Sequence, residues 1–374
     1  MAIIEFRFIP SKDLSMLFIT AISIFNYVDQ LYSYDLTATG IKRLLATLSK
    51  LIFGIIYFIL IVRDGDYKKI SKIAQFKQFN CMQLLLLLLP GFLCALVYII
   101  DYIIQVMSVN LITSVLDNNL GTFVQIITLF LVTHVGNNYY LKKGTYIHHR
   151  VGIIIITIGT VIFHVLKFFM FSPDGFASYA NVTINTFILL GSIVIMSISQ
   201  SGYVLAQSYL IHSCAYNPLV VIFITGVGFL IFYFPVMILL NGDRNKWFFL
   251  MDVDYPKMLF EFFVLCLYDY TYIKILKDLS MMHIVFNFIF IIALAYFPNP
   301  FIYEIFWFFA MIVVTMGFLL YIESMIVNAC KLNYYVEEII KKRGEDEFNG
   351  EVGESTIKKQ LFKQDADNDD NNNE

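Results

Sequence analysis

Long apolar runs separated by short polar breaks organise most of this chain. A helix needs about 20 mostly apolar residues to cross a bilayer. Ten stretches qualify, roughly 14–35, 44–63, 82–108, 119–141, 150–171, 184–208, 218–240, 257–276, 280–297 and 302–324. Turn-forming residues fall between several of them: Asp64-Gly65-Asp66, Asp117-Asn118-Asn119, Ser172-Pro173-Asp174-Gly175, Asn241-Gly242-Asp243 and Pro298-Asn299-Pro300. The pattern predicts an all-α membrane protein with ten transmembrane helices. The first run, Leu14 to Phe25, leads into Asn26, Asp29 and Gln30 rather than a cleavage site, so it reads as a first helix and not a signal peptide. From about Arg343 the apolar content drops and the chain closes on Asp and Asn runs, which reads as a disordered tail.

Composition agrees. Hydrophobic residues make up 59% of the 374 and charged ones 15%, with a mean hydropathy of +0.71. That leaves too little polar surface to cover a soluble core. The 37 Phe and 24 Tyr suit lipid-facing surfaces and the two interfaces. A net charge of −3 and the lack of a basic, aromatic-interleaved patch give nucleic-acid binding no support. The five cysteines form no CxxC pair and read as small buried hydrophobes.

Lys and Arg placement sets the orientation. With the N-terminus in the cytosol, cytosolic segments hold 19 of these residues and the other side 7; without the tail the figures are 12 and 7. Both termini are therefore expected in the cytosol. The sequon Asn181-Val182-Thr183 falls in a connector that this topology places on the other side.

Two segments 158 residues apart resemble each other: Gly152 through Thr157 to Gly159, and Ala310 through Thr315 to Gly317. They lie in predicted helices five and ten. Two repeats of five helices would fill the chain, and because five is odd the second must enter the membrane from the opposite face. That is the inverted repeat common in secondary transporters. The expected organisation is a cytosolic N-terminus over 1–13, a first five-helix repeat over 14–171, a connector over 172–183, a second repeat over 184–324 and a cytosolic tail over 325–374.

The stretch from Phe130 to Phe163 carries a further signal. A helix end at Tyr139-Tyr140-Leu141-Lys142-Lys143 is followed by His149-Arg150-Val151-Gly152 and an apolar run to Gly159. This resembles the drug/metabolite transporter superfamily, in the solute carrier family 35 or nucleotide-sugar-transporter-like branch. Weaker likenesses lie at Thr20 to Asn26, around Ser199 to Gly228, and at Leu279 to His283. A Gln-Met-Leu-Arg-Gly-like stretch of some relatives is replaced here by Leu120-Gly121-Thr122-Phe123-Val124-Gln125. The resemblance implies ten helices in two inverted halves around a cavity lined by helices one to four and six to nine.

Polar groups inside spans are costly, so each is a site hypothesis. Asn26, Asp29 and Gln30 share a face of helix one; Tyr98, Asp101 and Gln105 share a face of helix three. Gln200, Tyr203 and Gln207 form a stripe on helix six, and helix eight carries Tyr268, Asp269, Tyr272 and Lys274. Each set fits either a solute cavity or contacts between helices. Lys50 is one partner available to Asp101. The histidines His134, His164 and His283 read as packing residues.

The expected function is a secondary transporter that moves a small polar organic solute, with a nucleotide sugar or related metabolite as one candidate. Substrate-binding candidates are Asn26, Asp29, Asp101, Gln105, Gln200, Tyr203, Gln207, Asp269 and Tyr272. No catalytic residue, metal or cofactor is expected, and the chain is not read as an enzyme. A Walker-type loop is absent from the sequence, which disfavours ATP-driven pumping within this chain. Expected partners are the solute, membrane lipids and, as an option, a second copy in a homodimer. The expected location is a eukaryotic endomembrane (Golgi, ER or vesicle) or the plasma membrane. The alternatives are a membrane-embedded lipid-modifying enzyme and a non-transporting scaffold.

Overall fold

A computed structural model describes residues 4–6, 14–23, 36–63, 81–110, 115–139, 150–161, 184–241, 255–279, 281–294, 303–321 and 325–327. Among the described residues, helices run α1 Leu14–Ser23, α2 Leu36–Arg63, α3 Cys81–Asn110, α4 Val115–Tyr139, α5 Arg150–Val161, α6 Ile184–His212, α7 Pro218–Asn241, α8 Tyr255–Asp278, α9 Met281–Leu294 and α10 Tyr303–Tyr321. Two three-residue strands complete the described elements, β1 Ile4–Phe6 and β2 Met325–Val327. The described residues are thus almost entirely helical. Among them, four stretches, within α2, α3, α6 and α7, are long and apolar enough to cross a membrane: Arg43–Arg63, Leu84–Ile104, Phe187–His212 and Pro218–Leu240.

One expected break is not there. Asp117-Asn118-Asn119 was expected to form a turn, but α4 starts at Val115 and runs through all three. Asp117 is then the third residue of the helix. An acidic residue in the first turn is favoured by the partial positive charge of the helix start. The sequon at Asn181 and the tail beyond Val327 lie outside the described residues.

The connector between α6 and α7 shows its chemistry plainly. Pro218 opens α7, where its missing N–H costs nothing and its fixed φ suits a helix start. Asn217 caps it, its Oδ1 accepting from the Leu219 N–H at 2.9 Å. Ala215 takes a positive φ of 54°, and the Tyr216 N–H donates back to the Leu210 carbonyl at 3.0 Å. The chain thereby passes from α6 to α7 within five residues.

The chain divides into two compact units. The smaller holds Met1–Phe8, Thr145–Ile154 and Met316–Glu374. In it β1 and β2 pair antiparallel, with Ile4 opposite Val327, Glu5 opposite Ile326 and Phe6 opposite Met325. Gly152 is tight against this unit's other helical segment: a Cβ there would stand 2.6 Å from the Gly317 carbonyl oxygen.

The larger unit holds Ile9–Gly144 and Ile155–Thr315. In it α3 packs on α6 and α7, α2 on α7 and α8, α4 on α6 and α9, and α9 also on α6 and α8. Helices α3 and α7 cross backbone to backbone, and a Cβ on Gly91 would lie 2.6 Å from the Gly228 Cα. Only glycine permits that approach. Pro90, just before it, removes one helical hydrogen bond from α3.

The outward faces are apolar and the inward ones carry polar groups. Phe58, Leu85, Phe187, Leu239, Phe260 and Phe263 are all exposed. Ser49, Gln207, Thr225, Asp269 and Asn287 are buried. A soluble protein does not present so many large apolar side chains outward. In a bilayer these faces meet acyl chains.

Candidate functional site

A buried ion pair joins α2 to α8. Lys50 Nζ lies 2.9 Å from Asp269 Oδ1 and 3.2 Å from Oδ2. The Ser49 hydroxyl donates to Asp269 Oδ2 at 2.6 Å. Lys50 also reaches the Ala46 carbonyl at 3.4 Å, one turn back on its own helix. Both charges are withdrawn from solvent, at 15% and 5% side-chain exposure. A buried carboxylate needs this company, because an unpaired charge in a low-dielectric interior is far more costly than a paired one.

Asp269 and Tyr272 are three apart, so α8 presents them on one face. The Tyr272 hydroxyl donates to Gln207 Oε1 on α6 at 2.7 Å. Gln207 Nε2 donates to Thr225 Oγ1 on α7 at 3.0 Å, and Thr225 donates to the Val221 carbonyl at 2.7 Å. This relay ties three helices together. Tyr203 on α6 stacks on Tyr272 with centroids 6.1 Å apart, and Tyr268 stacks on Tyr272 from the other side of the sequence at 6.1 Å.

A second ion pair links α2 to α3. Arg43 Nη2 lies 3.6 Å from Asp101 Oδ2. Its guanidinium sits over the Tyr98 ring at 3.8 Å from the centroid, a cation–π arrangement. Tyr98 packs edge-on against Phe229 and Tyr233, within a cluster that includes Cys94, Ala95 and Met237.

Four sequence-predicted residues, Tyr203, Gln207, Asp269 and Tyr272, therefore meet on α6 and α8. Asp101 stands apart from them with Arg43. Gln200 is half-buried on α6. The helix carrying Gln105 is described but its side chain is not, and Asn26 and Asp29 lie outside the described residues. Lys50 was one partner available to Asp101; it pairs with Asp269 instead, and Arg43 takes Asp101. The reason is position along α2. Arg43 and Lys50 are seven residues apart, two turns on one face, so the earlier residue meets α3 and the later one meets α8.

Sequence reasoning missed Ser49, Arg43 and Thr225, and it offered Lys50 to Asp101 rather than to Asp269. Arg43 and Lys50 are among the seven Lys and Arg placed on the non-cytosolic side; Lys50 lies seven residues inside the apolar stretch Arg43–Arg63, which Arg43 opens. The signal was a single Lys within an otherwise apolar helical run.

Elsewhere, the Asn287 amide on α9 donates to the Ser23 hydroxyl of α1 at 2.9 Å. His134 stacks on Phe130 within α4. The Cys214 thiol, in the connector before α7, is pushed above its usual range by burial.

These features describe an almost wholly helical chain with apolar outer faces and several helices fit to cross a membrane, consistent with a multi-pass integral membrane protein. The chain has no significant match among protein-family models or curated proteins.

Proposed function

We propose that the chain is a secondary transporter that moves a small polar organic solute across a membrane by alternating access, on the ten-helix plan of the drug/metabolite transporter superfamily. The observation that carries this reading is the Lys50–Asp269 pair. It is a buried, hydrogen-bonded charge cluster joining the first half of the chain to the second, next to the Gln207–Tyr272 relay. Membrane interiors hold such groups where a solute or ion pathway needs them.

The pattern of helix packing supports two inverted five-helix repeats. Adding five to each helix number should turn one contact into another. The α3–α7 contact becomes α8–α2, and both occur. The α4–α6 contact becomes α9–α1, and both occur. The α2–α7 and α4–α9 contacts map onto themselves, as contacts on a pseudo-two-fold axis do. Within each unit, the look-alike segments of α5 and α10 also touch: Gly152 at Gly317, and Gly159 at Val313.

The paired strands β1 and β2 support an even number of crossings, since they hold the start of the chain beside the segment that follows α10. Both termini would then share one side, which the Lys and Arg distribution makes the cytosol. No covalent step is involved. The solute would stabilise closure of the halves around it, and each half would open in turn.

The test is thermal unfolding of the purified protein against panels of sugars, nucleosides, nucleotides, nucleotide sugars, amino acids and lipids. A solute at 100 times its Kd adds about 2.7 kcal/mol to the folded state. Stabilisation by one soluble class supports the carrier. Stabilisation by lipids alone would move the reading to an enzyme or scaffold.

A further inference from the structure

We infer that the solute of this site carries no net charge at neutral pH: it is a ring-bearing, hydrogen-bonding molecule of the sugar or nucleoside kind, not a phosphorylated one. The inference rests on the carrier reading and narrows the substrate class of the same site.

Inward of their ends, the four long apolar stretches carry only Lys50 and Asp101 as charged residues, with Arg43 opening the first. The helices α6, α7 and α9 contain no Asp, Glu, Lys or Arg at all. Helix α8 adds Asp269 in its middle; its other charged residues, Lys257, Glu261, Lys274, Lys277 and Asp278, lie toward its two ends. The central charges therefore pair off, Lys50 with Asp269 and Arg43 with Asp101.

A phosphate or pyrophosphate needs cations to meet it. Lys50 already contacts both oxygens of Asp269. Drawing it to a solute phosphate would strand the Asp269 carboxylate beside a second anion in the interior, and an uncompensated buried charge is strongly unfavourable. Arg43 is held between Asp101 and the face of Tyr98.

Among the described residues, what remains around the pair is neutral: Gln207, Thr225, Tyr203, Tyr268 and Tyr272. Amide and phenol groups exchange hydrogen bonds with solute hydroxyls one for one. A solute hydroxyl that replaced Tyr272 on Gln207 Oε1 would leave the number of bonds unchanged. The faces of the stacked tyrosines suit the flat or C–H face of a ring.

The experiment uses matched pairs differing by one phosphate, uridine with uridine monophosphate and galactose with galactose 1-phosphate. Thermal stabilisation of the full chain in detergent is read for the natural sequence and for Asp269→Asn, which leaves Lys50 without its carboxylate. The natural protein is expected to bind the uncharged member of a pair at least tenfold more tightly. Asp269→Asn is expected to narrow or reverse that ratio. Should Asp269→Asn not fold, the double variant Lys50→Met/Asp269→Leu, which has neither charge, is expected to keep the uncharged preference. Tighter binding of the phosphorylated member by the natural protein or by the double variant would overturn the inference and leave the carrier reading standing. Stabilisation by no member, with no uptake of any into liposomes, would overturn both.

Discussion

Breaking the Lys50–Asp269 pair from either side should destabilise the protein far more than removing both charges together. At 2.9 Å and an effective dielectric near 20, the attraction amounts to about 6 kcal/mol as an upper bound. Much of that is offset by the cost of taking both groups out of water. A single substitution removes the attraction but leaves the partner's desolvation cost in place. Lys50→Met or Asp269→Leu should each cost about 3–5 kcal/mol. Lys50→Met leaves Asp269 only the Ser49 hydroxyl, and Asp269→Leu leaves Lys50 only the Ala46 carbonyl at 3.4 Å. In the double variant both charges are absent, so the cost should fall to about 1–2 kcal/mol or less, the residue of imperfect packing. The assay is a double-mutant cycle on unfolding free energy in one detergent and without solute. If the two single costs simply add in the double variant, within about 0.5 kcal/mol, the pair is not coupled and the reasoning fails.

Three further outcomes are expected. Gly91→Ala puts a methyl 2.6 Å from the Gly228 Cα, where only backbone can yield, and should cost about 1–3 kcal/mol in thermal unfolding; an unchanged midpoint would contradict the close crossing of α3 and α7. Tyr272→Phe strips the donor from Gln207 Oε1 and should cost about 1–3 kcal/mol while weakening solute binding; equal binding would remove Tyr272 from the site. Burial raises the Cys214 thiol above its usual range, so less of it is thiolate at pH 7. Maleimide should therefore label it more slowly than a free cysteine at pH 7, with a rate that still climbs above pH 9, and only from the side that holds the termini. Labelling from the opposite side alone would contradict the proposed topology.

Helix positions were largely legible because apolar length is written directly in the sequence. Each of the ten apolar runs carries a helix among the described residues, and four of those helices contain stretches fit to cross a membrane. The ends were less legible. Asp117 to Asn119 reads equally as a turn or as a helix start, and what precedes it in space decides. The polar stripe on α6 was legible because Gln207 and Tyr203 interrupt an apolar helix. The pairing was not. Nothing in the sequence says that α2 lies against α8, so Lys50 could be matched with Asp101 as readily as with Asp269. Placing Arg43 outside the membrane followed from starting the second span at 44; the apolar stretch begins at Arg43 and α2 itself at Leu36.

Solute exchange in liposomes tests transport most directly. Purified protein is reconstituted, the vesicles are loaded with the uncharged solute that stabilises it best, and uptake of the labelled solute from outside is followed. Saturable uptake that depends on internal solute, and that falls sharply in Tyr272→Phe, is the predicted result. Vesicles that bind the solute but accumulate no more of it than protein-free ones would contradict the account.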